Sequence, residues 1–191
     1  MSSIYFSSSS SLAETFSHKI AHHSETFLEA ECKVSDYNQN ISKQKIKTQI
    51  EGCDVLIVVV CADPSPPEED ISAYNLIDNE QIRFEIISAM NQDILIVPIL
   101  IDDAKLPEKN NVPGALKKLL DCRLHHLRTV FWAEDIENLH EHLEEELSFI
   151  KEVKGKLTES VEVNYQRLAK IDGLNPKNNK VDLESSDFLQ V

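Results

Sequence analysis

Among the residues whose chemistry stands out, Glu85 comes first. It lies in the stretch DNEQIRFEIISAMNQDILIVPILIDDAKL, residues 78–106. There Ile82, Ile86, Ala89 and Met90 recur at helical spacing, and Asp78, Gln81, Glu85, Ser88 and Gln92 form a polar stripe beside them. Glu85 therefore falls on the margin between core and water. A carboxylate so placed either stabilises a positive charge developing on a ligand, pairs with Arg83, or extends into solvent. A second candidate is the serine run Ser7, Ser8, Ser9, Ser10 and Ser11, which joins a strand to a helix. Such a junction gathers backbone N–H groups, a helix dipole and hydroxyls, which suits a phosphate or a ribose; a capping loop without a ligand has the same composition. Asp63 ends an apolar strand, but serines occupy the position after the first strand where a Mg²⁺ site would need a pair of acids.

Other chemistries are excluded by what the chain lacks. Neither GxGxxG nor GxxxxGK[ST] occurs, and the chain holds only four glycines, so a dinucleotide fingerprint and a P-loop are both ruled out. His22 with His23 and His125 with His126 are adjacent in sequence, while His140 and His142 diverge on a helix, so no metal site is expected from them. Cys32, Cys53, Cys61 and Cys122 lack CxxC spacing and read as reduced core thiols.

The elements that must position these groups alternate. A short strand over 4–7 leads to a helix striped by Leu12, Phe16 and Ile20, with Ser11 and Glu14 as a capping box. A weaker strand over 27–34, a loop over 35–42 and a short helix burying Ile46 and Ile50 precede the apolar strand Val55–Cys61. A proline-rich loop over 63–77 then enters the Glu85 helix, and the β-branched run 94–101, interrupted only by Pro98, reads as a strand covered on both faces. Pro113 opens a helical segment with Leu116 and Leu119, and residues 122–127 form a last strand. A helix with Ile136, Leu139, Leu143, Leu147 and Ile150 inward follows Trp132. Gly155 marks a boundary, with a further helix over 157–171 and a polar tail beyond 173. Five strands alternating with helices predict a parallel sheet covered on both faces, with ligands at the strands' C-terminal edge.

A chain of 191 residues, 41% hydrophobic, supports one domain with a substantial core. A formal charge of −14 argues against nucleic acid or an anionic membrane as the main partner. No signal peptide or membrane-length apolar run is visible, so a cytoplasmic location is expected.

The phrases CDVLIVVV, IRFEIISAM, ILIVPILIDDAKLP and VPGALKKLL, with the later Trp132, resemble the Toll/interleukin receptor (TIR) domain, particularly its bacterial form. The likeness runs over about residues 4–150. It implies a flavodoxin-like, three-layer α/β fold with a five-stranded parallel sheet, a TIR domain over 1–152 and a partly helical extension over 153–191. Many TIR domains cleave NAD⁺ at the nicotinamide glycosidic bond, and their catalytic glutamate stands in an E-I-x-x-A context, which is Glu85 here. The resemblance thus implies a stand-alone NAD⁺ glycohydrolase or cyclase of an antiviral immune or signalling system, needing no cofactor beyond NAD⁺ as substrate. Phe6, Ser7, Ser8, Tyr37, Asp63, Tyr74 and Arg83 are then the expected substrate-binding residues, with Phe84 a further aromatic candidate. Implied partners are further copies of the chain, through TIR to TIR contacts, and a separate effector sensing the nucleotide product. A catalytically silent TIR adaptor is a second reading, and a nucleoside deoxyribosyltransferase-like enzyme, which shares the general fold and a glutamate but matches the VPILID phrase less well, is a third. The chain has serines where TIR enzymes carry a Ser-Tyr-Arg-Arg-like phrase, and Gln81 where they often place a tryptophan one turn before the glutamate.

Overall fold

A computed structural model describes residues 1–37, 42–62 and 79–171, the part over 160–171 as backbone alone. In order the elements are β1 (Ser2–Ser8), α1 (Ser11–Leu28), β2 (Ala30–Val34), α2 (Lys43–Ile50), β3 (Val55–Cys61), α3 (Glu80–Asn91), β4 (Leu95–Ile101), a 3₁₀ segment (Gly114–Asp121), β5 (His125–Leu127) and α4 (Trp132–Ile171). The strands form one sheet in the order β2-β1-β3-β4-β5, every pairing parallel. This is the flavodoxin-like doubly wound arrangement expected from the alternation of elements.

Apolar periodicity accounts for most of it. All seven residues of β3 are buried, as a central strand covered on both faces requires. On one face Tyr5, Leu56, Val58 and Val60 meet Ile46 and Ile50 of α2, Ile82, Ile86 and Ala89 of α3, and Leu116 and Leu119 of the 3₁₀ segment. Side chains alternate along a strand, so Ile4, Phe6, Ser8 and Ile57 point to the other face, where Ser8 meets Ser17 of α1.

Several sequence expectations shift. The buried face of α1 is Ala13, Ser17, Ile20, Ala21 and Ser24, whereas Leu12 is 41% exposed. Small residues let α1 approach closely, and its two buried serines find partners in Ser8 and His140, which apolar periodicity does not register. Phe27 belongs to the end of α1, is exposed, and stacks on His140; β2 begins only at Ala30. The cap of α1 is Ser10, whose Oγ accepts from the Ala13 N–H at 3.1 Å, in place of a Ser11 to Glu14 box. Replacing Ser10 by Ala is expected to cost about 1 kcal/mol, read as a lowered urea midpoint at unchanged slope.

The chain divides into a unit over Met1–Leu147 and a second over Ser148–Val191. α4 continues through Gly155 to Ile171, so the helix expected over 157–171 is the same helix. Within its second part Phe149, Val153 and Leu157 are exposed. Among the described residues, no helix is long and apolar enough to cross a membrane.

Candidate functional site

Glu85 is fully buried, with no exposed surface, so the expected place at the edge of solvent is corrected. The position follows from α3. Asn79 caps the helix, its Oδ1 accepting from the N–H groups of Gln81 at 2.9 Å and Ile82 at 3.2 Å. The first turns of α3 then lie over the C-terminal half of β1, and Ile82, Glu85, Ile86 and Ala89 share the buried face. Neither Arg83 nor solvent receives the carboxylate.

Four neutral donors hold it. The Tyr5 hydroxyl donates to Oε1 at 3.2 Å, the Ser35 hydroxyl to Oε1 at 2.7 Å, the Gln81 amide to Oε1 at 3.1 Å and the Ser7 hydroxyl to Oε2 at 2.5 Å. Tyr5 and Ser7 are alternate residues of β1 and so reach the same face. Ser35 directly follows β2, anchored by its N–H to the Phe6 carbonyl at 2.8 Å. Gln81 is one helical turn before Glu85, and its amide also donates to Ser35 Oγ at 2.8 Å and to the Asp36 carbonyl at 3.4 Å. Gln81 is the outermost of the four: Tyr5, Ser7 and Ser35 are buried, and Gln81 is partly exposed.

Among the described residues, no cation takes part. Burial pushes the Glu85 carboxyl above its ordinary range, and the hydrogen bonds from Ser35, Ser7, Gln81 and Tyr5 pull it back only in part. Tyr5 is raised as well, first by burial and then by the Glu85 charge, so its phenol stays a neutral donor. The other buried acid among the described residues is treated differently. Asp135 takes Arg128 Nε at 2.8 Å, Nη2 at 2.5 Å and the Arg128 N–H at 2.8 Å, which lowers its carboxyl. Oε1 of Glu85 is crowded with three donors, whereas Oε2 has one and keeps capacity for another. The arrangement is therefore a carboxylate suited to a neighbouring positive charge or to a further hydroxyl.

Of the residues expected to bind substrate, Ser7 is brought to Glu85. Phe6 and Ser8 are buried on the opposite face of the sheet from Glu85, where Ser8 meets Ser17. Tyr37 and Phe84 pack, partly buried, against the core shared by α2 and α3, and Arg83 is partly buried on α3 away from the carboxylate's donors. Asp63 and Tyr74 lie outside the described residues. The serine hydroxyls expected to suit a phosphate each have a partner within the chain. Ser7 donates to Glu85, Ser8 pairs with Ser17, Ser9 Oγ accepts from the Cys61 N–H and Ser10 caps α1. Tyr5, Ser35 and Gln81 were not among the expected residues. Gln81 carried a signal, its i, i+4 spacing to Glu85, Tyr5 another in its alternation with Ser7, and Ser35 a third as the first residue of a loop expected to reach the same sheet edge as Glu85. Among the described residues, no cluster of His, Cys, Asp and Glu is arranged to hold a metal ion.

The fold is a flavodoxin-like α/β architecture with a five-stranded, all-parallel sheet. The chain superposes on the structure of the activated Roq1 resistosome directly recognizing the pathogen effector XopQ (TIR domains), with a TM-score of 0.51 and 12% identity over 75% of this chain and 99% of that one. No family model matches the sequence, and neither does any curated protein.

Proposed function

We propose that the protein is a TIR-type NAD⁺ glycohydrolase or cyclase in which Glu85 stabilises the ribosyl cation. One observation carries this reading: among the described residues, a fully buried carboxylate at the C-terminal side of the sheet has four neutral donors and no cation, while the other buried acid is neutralised by an arginine. An uncompensated buried charge is costly unless something positive is meant to meet it. In NAD⁺ cleavage the bond between ribose C1′ and the nicotinamide nitrogen breaks, and its electron pair leaves with neutral nicotinamide. Positive charge then develops on the ribose, where a fixed carboxylate in a dry setting is most effective. Water adding at C1′ and losing a proton gives ADP-ribose; a nucleophile from the same nucleotide gives a cyclic product. Gln81, the partly exposed donor of the four, holds Oε1, so an outward swing of its side chain would free that oxygen for the ribose. The resemblance extends the proposal to self-association through TIR to TIR contacts, a cytoplasmic setting in bacterial immunity or signalling, and a separate effector that senses the product.

A second reading, a silent adaptor, is favoured by a different observation: both carboxylate oxygens of Glu85 already accept hydrogen bonds from within the chain and none of its surface is open. Incubating the full chain with NAD⁺ and separating products by chromatography decides between them. Nicotinamide is expected to appear with ADP-ribose or a cyclic ADP-ribose, at a specific activity that rises with protein concentration. Intact NAD⁺ at every concentration establishes the adaptor.

A further inference from the structure

A cleft of about 340 Å³ opens at the other end of α3, lined by Met90, Asp93 and the start of β4, by Lys118, Cys122 and Arg123, and by His142 and Glu146 of α4. It exists because the sheet is incomplete there. β4 spans Leu95–Ile101, but β5 pairs only with Ile99, Leu100 and Ile101, so the outer edge of Leu95, Ile96 and Val97 carries no strand. Pro98, which has no N–H, stands where that pairing stops. Glu85 is six residues before Asn91, where α3 ends, about 9 Å along the helix, and the cleft opens around that end, so the two sites are separate.

The walls are built for a ligand of both charges. Arg123 Nη1 lies 2.9 Å from Nδ1 of His142, a residue only 5% exposed whose ring stacks on His125 with centroids 4.9 Å apart. A guanidinium only donates, so Nδ1 is the acceptor, His142 is neutral and its hydrogen is on Nε2. Burial first, and then the charge of Arg123, depress the His142 ring below its usual range, in keeping with that assignment. The contact fixes Arg123 while leaving its remaining donors unused. No carboxylate among the described residues pairs with Arg123 or with Lys118, although Lys109, close by in sequence, is bound to Asp121. The carboxylates of the cleft, Asp93 and Glu146, come from two other elements and have no cationic partner among the described residues. Met90, Ile94, Leu95, Ile96 and Val97 supply an apolar floor.

We infer that this cleft binds a small zwitterion with an apolar body, an aliphatic or aromatic α-amino acid, its carboxylate on Arg123 and Lys118 and its ammonium on Glu146 and Asp93. Each charge of the ligand meets unpaired charge of the opposite sign, and the side chain covers the bare edge of β4. The inference is independent of the NAD⁺ reading.

The test uses the full chain with L-phenylalanine and L-leucine as probes, and phenylacetate and phenethylamine as partners bearing one charge each. Backbone amide shifts of Leu95, Ile96 and Val97 are followed by NMR together with the melting temperature. A ligand of about a dozen heavy atoms is expected to saturate in the millimolar to sub-millimolar range and to raise the melting temperature. Phenylacetate and phenethylamine are expected to bind at least about tenfold more weakly, and Arg123→Gln and Glu146→Gln each to weaken phenylalanine by about tenfold. Lys118→Gln, on an exposed side chain, serves if either variant folds poorly. No saturable shift at Leu95 to Val97, equal binding of all three aromatic probes, or binding indifferent to Arg123→Gln and Lys118→Gln overturns the inference.

Discussion

Glu85→Gln is expected to lower NAD⁺ turnover by roughly a hundredfold or more while leaving the fold at least as stable as the parent. The amide keeps the shape of the carboxyl group, and the hydroxyls of Ser7, Ser35 and Tyr5 can each rotate to accept from it. What disappears is a buried negative charge without a cation. Because the folded carboxyl titrates above its ordinary value of 4.5, the folded state holds that proton more tightly than the unfolded chain. The stability this contributes is fully present below 4.5 and is lost as pH rises through the folded value. Glutamine suffers no such loss, so the melting temperature of Glu85→Gln relative to the parent should climb as pH rises from 4.5. Turnover of the parent should rise across the same interval, as the carboxylate forms. Parallel turnover and melting curves for both proteins at several pH values check this. Equal turnover in a folded variant defeats the mechanism, and a variant that grows less stable relative to the parent with rising pH defeats the electrostatic account of the site.

Acid should unfold the protein through a different residue, His140. Its ring is 3% exposed, with Ser24 Oγ 3.1 Å from Nε2 and Phe27 stacked at 4.8 Å. Burial, and secondarily the neighbouring His23, depress it from 6.5 to about 4. Here the unfolded chain binds the proton more tightly, so the stability is present above 6.5 and is lost as pH falls toward 4. At full linkage, below both values, the loss is about 3.5 kcal/mol, using roughly 1.4 kcal/mol for each pH unit between them, and about 3 kcal/mol of it is reached by pH 4. Urea unfolding of the parent and of His140→Gln between pH 7 and 4 should show the variant losing less by about that amount. His125, depressed to about 4 mainly by its own burial, keeps a residual slope in both proteins. Parallel acid limbs would place the sensitivity elsewhere.

Much of this molecule was legible before any coordinates. Apolar runs and helical stripes identify β3, β4, α3 and α4, because burial on one or both faces imposes a local period that a window of residues displays. The alternation of those elements leads to a parallel doubly wound sheet, and an acid among apolar neighbours on α3 singles out Glu85. Its surroundings were another matter. Tyr5, Ser7 and Ser35 meet Glu85 from 80, 78 and 50 positions away, so only the packing of α3 on β1 and β2 decides that they do. The same packing, through the period of two along β1, sends Ser7 to the carboxylate and Phe6 and Ser8 to the opposite face. It also consumes the serine run, which in sequence is an uncommitted set of hydroxyls and in the fold is divided among a carboxylate, a helix, a strand and a cap. Periodicity reports which face of an element is buried; which polar atoms meet there depends on contacts between elements, and those are set only when the tertiary structure forms.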